Sequence, residues 1–142
     1  MNGGELEVRP YCEADQADVV VLWTRVFPDD RPWNQPAAYI RRKLAVQREL
    51  FLVGVLEQRV VATVLAGYDG VRGWIYHLAV APELRRHGFG RAMMAGAEAG
   101  LRALGCAKIN LQIFRTNADV VRFYERVGYA LEDRISMGKR LS

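Results

Sequence analysis

Apolar residues recur along this chain at two spacings, and the spacings mark its elements. Val19, Leu22, Trp23 and Val26 fall at i, i+3, i+4 and i+7, one buried helical face, which Pro28 ends. Ala37, Ile40 and Leu44 repeat that stripe in a second helix. Asn34 is placed to cap it, and Arg41, Arg42 and Lys43 read as its solvated face. Residues 50–56 and 59–68 are dense in β-branched and large apolar residues, which predicts two strands. Glu57-Gln58 between them predicts a tight hairpin; neither residue is Gly or Asn, so the turn type stays open. Asp69-Gly70 opens the next turn, and Trp74 to Val80 reads as a strand stopped by Pro82. Gly88 to Leu104 predicts a helix buried along Met93, Ala97, Leu101 and Leu104, with Gly105 just past its end. Lys108 to Phe114 reads as a strand, Ala118 to Val127 as a helix and Tyr129 to Met137 as a last strand. With a short strand at Leu6 to Arg9, the order is β-α-α-β-β-β-α-β-α-β. That is an α/β fold with a mixed, mostly antiparallel central sheet flanked by helices.

Composition narrows the classes. A chain of 142 residues, 51% hydrophobic, predicts one domain over residues 1–142. No apolar run approaches the roughly 20 residues that cross a bilayer, so no membrane role is expected. The opening MNGGELEVRP is acidic and polar and does not read as a secretory signal. Reduced Cys12 and Cys106 fit a cytoplasmic protein. Those two cysteines and the two histidines, His77 and His87, lack any short ligand spacing, so no metal is expected. The net charge of +4 is mild and scattered, which argues against a nucleic-acid partner. A basic pocket for a small anion fits it equally well.

The chemistry concentrates in Leu78-Ala79-Val80-Ala81-Pro82-Glu83-Leu84-Arg85-Arg86-His87-Gly88-Phe89-Gly90, where a strand ends, a loop follows and a helix begins on Arg-x-x-Gly-x-Gly. Glycines let backbone N–H groups approach a ligand, and a helix N-terminus supplies unpaired donors and positive potential. Arg85, Arg86 and Arg91 add charge to this anion cradle. The same glycines would also serve close helix–sheet packing alone. A Walker loop would need Gly-Lys-Ser/Thr, which is absent. A dinucleotide fingerprint would need a third glycine at 93 and a place on the first strand of a parallel sheet.

A second cluster runs from Asn117 through Phe123-Tyr124-Glu125 to Gly128-Tyr129. Tyr124 lies seven residues after Asn117, two helical turns on, so one side of the helix can carry both. Taken singly, Asn117 also reads as an N-cap and Tyr124 as a core residue.

Together, Leu-Ala-Val-x-Pro, Arg-x-x-Gly-x-Gly and Asn followed by Phe-Tyr-Glu-x-x-Gly-Tyr resemble the GNAT superfamily of acetyl-CoA-dependent N-acetyltransferases, across nearly the whole chain. Leu-Trp at 22–23 and Arg-Pro-Trp-Asn at 31–34 look closest to small bacterial members. The resemblance implies that the backbone of Leu78, Ala79 and Val80 bonds the pantetheine arm of acetyl-CoA. It implies that Arg85, Arg86, His87, Gly88, Phe89 and Gly90 hold the pyrophosphate and that Asn117 touches the cofactor beside the thioester. Tyr124 would then protonate the leaving thiolate, a role suited to a phenol of pKa near 10. The acetyl group would pass directly to an amine acceptor: a small molecule, a peptide N-terminus or a lysine. A homodimer is compatible with the resemblance, and the oligomeric state is left open. The alternative is a non-catalytic acyl-CoA-binding or sensor module, which would not need an acid at 124.

No general base stands out. By resemblance, Trp74 and Tyr76 face the acceptor, and strand alternation then turns His77 away as a packing residue. Asp69 reads either as base or amine anchor, or as an ordinary Asp-Gly turn. Asp30 and Trp33, in the charged loop between the first two helices, are candidates for the acceptor pocket together with Tyr76. A water chain taking the amine's proton would need no dedicated base.

Overall fold

The computed structural model describes residues 4–28 and 34–142, and the chain forms two compact units, Met1–Leu111 and Gln112–Ser142. The first holds β1 (Glu7–Pro10), α1 (Gln16–Val26), α2 (Pro36–Leu44), β2 (Phe51–Leu56), β3 (Arg59–Tyr68), β4 (Gly73–Val80), α3 (Phe89–Ala103) and β5 (Ile109–Leu111). The strands form one sheet in the order β1-β2-β3-β4-β5. The first three pairings are antiparallel and β4 with β5 is parallel, joined through α3. The expected mixed, mostly antiparallel sheet with flanking helices is present.

Side-chain alternation gives the sheet two buried faces. Phe51 and Val53 point into a core with Val19, Leu22 and Trp23 of α1 and Ile40 of α2. Leu52, between them, approaches Gly96 of α3, so α3 covers the opposite face. Met93, Met94, Ala97 and Leu101 of α3 are all buried there. At Gly100, a β-carbon would stand 2.8 Å from Leu50, so the missing side chain lets α3 lie close to the sheet. The stripe expected on α3 ends one turn early, because Leu104 is 44% exposed.

The hairpin at Glu57-Gln58 resolves the open turn type. Leu56 faces Arg59, leaving a two-residue loop, and both loop residues have positive φ, 50° and 69°. That is a type I′ turn, whose twist matches the flanking strands even without glycine.

Three local expectations are corrected. Gln35, not Asn34, caps α2, its side chain accepting from the N–H of Ala38 at 3.0 Å. Lys43 is not a solvated residue: its Nζ donates to the carbonyl of Ala66 at 2.6 Å. The strand expected over 108–114 is only Ile109–Leu111.

The second unit contains α4 (Ala118–Arg126). The last strand expected over 129–137 is not formed. Leu131, Ile135 and Met137 alternate as a strand would, yet each is at least 80% exposed. Alternating apolar residues report a fit to a pleated, half-buried surface, and without a ladder they do not hold a strand.

Candidate active site

In the first unit, the two edges of β4 differ. On one side it pairs with β3 over most of its length. On the other, β5 reaches only Gly73, Trp74 and Ile75. From Tyr76 to Val80, no strand among the described residues occupies that second edge. Its amides and carbonyls are the kind of edge an extended ligand joins by strand addition.

A bulge interrupts β4 at this point. Thr63 pairs with Ala79 but Leu65 pairs with Tyr76, so Val64 alone stands opposite His77 and Leu78. His77 has φ 47°, left-handed backbone that a non-glycine residue adopts at a cost. A buried relay holds it there. The indole N–H of Trp23 donates to the Thr63 hydroxyl at 2.8 Å, and that hydroxyl donates to the His77 carbonyl at 3.0 Å.

The bulge overturns the alternation argument for His77. Its ring lies 4.7 Å from Trp23, 4.8 Å from Phe27 and 4.3 Å from Tyr39, centroid to centroid. It is a packing histidine, as expected, but it lies on the face covered by α1 and α2. Tyr76 lies on that same face, since it and Tyr39 line one open hollow of about 300 Å³ with Arg42, Lys43 and Leu65. One extra residue in the strand turns two consecutive side chains to one side.

Beyond Val80, a 3-10 turn over Pro82–Leu84 leads to the loop. Glu83 of that turn is tied to Arg25 of α1 by an ion pair of 2.6 Å. Arg85, Arg86, His87 and Gly88 are all exposed. The Nδ1 of His87 lies 3.0 Å from the carbonyls of both Leu84 and Arg85, which makes it the protonated nitrogen and folds the ring back onto its own loop. Arg86 and Gly88 have φ 68° and 79°. Gly88 precedes the first turn of α3, its carbonyl accepting from the N–H of Ala92 at 3.0 Å. The first N–H groups of any α-helix lack intrahelical acceptors. A β-carbon on Gly88 would meet nothing within 4 Å, so the space over these donors is open. Leu78, Ala79, Val80 and the 85–90 loop therefore form one continuous stretch: an unpaired strand edge, then a glycine-lined helix N-terminus. An extended chain ending in a phosphate-bearing group suits that donor set.

Asp69 caps the β3–β4 turn. One carboxylate oxygen accepts from the N–H groups of Val71 and Arg72, both at 2.8 Å, and these bonds hold its pKa below the ordinary carboxylate value. This is the bonding of the Asp-Gly turn reading. Burial, with a smaller contribution from Asp69, raises the Tyr76 pKa, so that phenol stays neutral. Asp30 and Trp33 lie outside the described residues.

In the second unit, Asn117 occupies the N-cap of α4, but its side chain makes no capping bond. Tyr124 is 8% exposed, and burial pushes its pKa up to about 12. Its ring contacts those of Phe123 and Tyr129.

Tyr39, Arg42 and Lys43 were not read from the sequence as site residues. Tyr39 fell outside the predicted apolar stripe, and the two cations looked like an ordinary solvated face. Only the folded chain brings them to the sheet, Lys43 against the Ala66 carbonyl of β3 and Tyr39 against the His77 ring of β4, with Arg42 beside them in the hollow at Tyr76.

A sequence model of the Acetyltransferase (GNAT) family matches residues 17–129. The acetyltransferase YE1169 of Yersinia enterocolitica is 40% identical over 136 residues, 96% of each chain. Among solved structures, Ard1 of Thermoplasma volcanium superposes with TM-score 0.79 at 22% identity, over 89% of this chain and 84% of that one. The aminoglycoside N-acetyltransferase AAC(6')-Iy, solved in complex with CoA, superposes with TM-score 0.81 at 13% identity, over 100% and 98%. At those identities the two structures establish a shared fold.

Proposed function

This chain belongs to the GNAT family of acetyltransferases, and on that premise we propose that acetyl-CoA lies along the open edge of β4 and into the N-terminus of α3. The chain is an N-acetyltransferase: the acetyl group moves from the thioester sulfur to the nitrogen of an amine. The observation that carries the proposed binding mode is the edge from Tyr76 to Val80, unpaired by strand and continuous with the Gly88 helix entry. Backbone groups of Leu78, Ala79 and Val80 would bond the amide-containing pantetheine arm. Donors of residues 85–90 would hold the pyrophosphate, with Arg85 and Arg86 adding attraction at the exposed rim. Asn117 would bond the cofactor near the thioester.

In the reaction, the amine nitrogen attacks the thioester carbonyl, a C–N bond forms and the C–S bond breaks. The sulfur leaves as thiolate and takes a proton from the Tyr124 hydroxyl, while the amine gives up one of its own protons. The Tyr124 hydroxyl carries a proton at neutral pH and so has one to give, although burial makes it a weaker acid than a free phenol. A residue ionised beforehand would have no proton to give. The amine gives its proton to ordered water, or binds already neutral, with no dedicated base.

Calorimetric titration with acetyl-CoA, followed by thiol release across small amines, peptides and lysine-bearing proteins, tests this reading. Binding together with thiol release on at least one amine supports it. Binding with no release on any acceptor would favour the non-catalytic sensor, and no binding at all would refute both.

A further inference from the structure

We propose that the imidazole of His87 is a positioning group for the pyrophosphate cradle: its Nδ1–H binds two loop carbonyls and so holds the loop in the shape that presents its amides to the anion. The inference rests on the acetyl-CoA reading above and adds a side-chain role to a loop whose other assigned contacts are backbone donors and exposed arginines. Each non-proline residue of a backbone cradle carries a carbonyl oxygen as well as an N–H. A carbonyl aimed at a phosphate repels it, so these oxygens have to be engaged elsewhere. The Gly88 carbonyl accepts from the N–H of Ala92 at 3.0 Å as α3 begins. The carbonyls of Leu84 and Arg85 both lie 3.0 Å from His87 Nδ1. A nitrogen between two acceptor oxygens is the protonated one, here shared between both. The imidazole thus does for residues 84 and 85 what the first helical turn does for Gly88.

These bonds also span the strained point of the loop. Arg86 has φ 68°, a region that a non-glycine residue adopts at a cost. The side chain of residue 87 reaches back across it to residues 84 and 85 and closes the turn around it. The segment just ahead is anchored separately. The N–H of Leu84 donates to the Ala81 carbonyl at 2.9 Å, and Glu83 is paired with Arg25 of α1 at 2.6 Å. His87 therefore ties the exposed half of the loop onto a turn that is already fixed. Its ring has one further neighbour, Phe89, with centroids 5.8 Å apart. A loop held in its binding shape beforehand loses less freedom when the ligand arrives. Removing the Nδ1–H should thus weaken ligands that reach the pyrophosphate position and spare those that stop at the pantetheine arm.

The test measures the Kd of acetyl-CoA by calorimetric titration, and that of S-acetylpantetheine by competition against it, in the native protein, His87→Leu and His87→Asn. The ratio of the two constants isolates the part of the ligand beyond the pantetheine arm. His87→Leu should lower the preference for acetyl-CoA by about three- to tenfold, the worth of one neutral hydrogen bond. Asparagine carries its amide nitrogen on Cγ, as imidazole carries Nδ1. His87→Asn should therefore keep most of the preference, although it loses the ring contact with Phe89. Residue 87 is exposed, so both variants are expected to fold. A preference unchanged in His87→Leu, or reduced equally in both variants, would overturn the positioning role and leave the acetyl-CoA reading in place. Absence of acetyl-CoA binding to the native protein would remove that reading itself, and this inference with it.

Discussion

The backbone N–H of Tyr129 donates to the carbonyl of Tyr124 at 2.9 Å, and their rings meet edge to face with centroids 5.7 Å apart. The N–H of Gly128 donates to Glu125 at 3.1 Å, completing a Schellman closure of α4. The proposed acid thus sits on the residue whose carbonyl ends its own helix. Gly128, at φ 104°, supplies the left-handed turn. Gly128→Ala is expected to cost about 1–2 kcal/mol, the penalty of a β-carbon in that region. Urea denaturation monitored by circular dichroism reads it directly.

Tyr124→Phe should lower turnover by about 10²–10⁴-fold, the usual worth of a positioned acid, with little change in acetyl-CoA affinity. Because burial pushes the native phenol up to about 12, its ionisation should leave no inflection in the pH profile near neutrality. Wild-type turnover by the phenylalanine variant would make Tyr124 a packing residue.

Gly88→Val places a branched side chain over the open donors of α3 and forces it to φ 79°. Acetyl-CoA affinity should fall in calorimetry. Arg91→Ala should weaken it less, since it removes a charge but leaves the backbone donors. An unchanged affinity in folded Gly88→Val protein would place the pyrophosphate elsewhere.

Thr63→Val breaks both bonds of the relay that holds the His77 bulge. Stability should drop by about 1–3 kcal/mol, because the Trp23 N–H is left buried without its acceptor. If the bulge sets the open edge of β4, the acetyl-CoA KM should rise, and Thr63→Ser should restore it. A stability loss with unchanged KM would confine the relay to packing.

Acid should weaken the first unit through Asp15. Arg9 bonds its carboxylate at 2.8 and 2.9 Å, Cys12 adds its N–H, and these contacts lower the Asp15 pKa. A carboxyl with a folded pKa below its unfolded value of about 3.9 stabilises above that value and loses its contribution as pH falls through the folded pKa. Asp15→Asn should therefore cost about 1–2 kcal/mol at neutral pH, for a charged bond partly open to solvent. The gap to the native protein should close in strong acid, as urea midpoints across pH will show.

The periods and punctuation of the sequence determined the element order through α4, the antiparallel hairpins and the Gly88 helix entry, because each is written over short spans of chain, and the resemblance of three short motifs pointed to the family. β3 fell on the expected residues since its apolar density and bounding turns are local features. What tertiary structure decided was pairing and direction. The alternation at Leu131, Ile135 and Met137 did not make a strand, because a strand needs a ladder that no local pattern supplies. The bulge at His77 inverted the parity of β4, because a single inserted residue depends on Thr63, Trp23 and the facing strand, distant in sequence. Lys43 looked like one more solvated cation until the packing of α2 set its ammonium against Ala66 and into the hollow beside Tyr76. Sequence periodicity reports which residues prefer burial; which neighbours they meet there is fixed only when the elements pack.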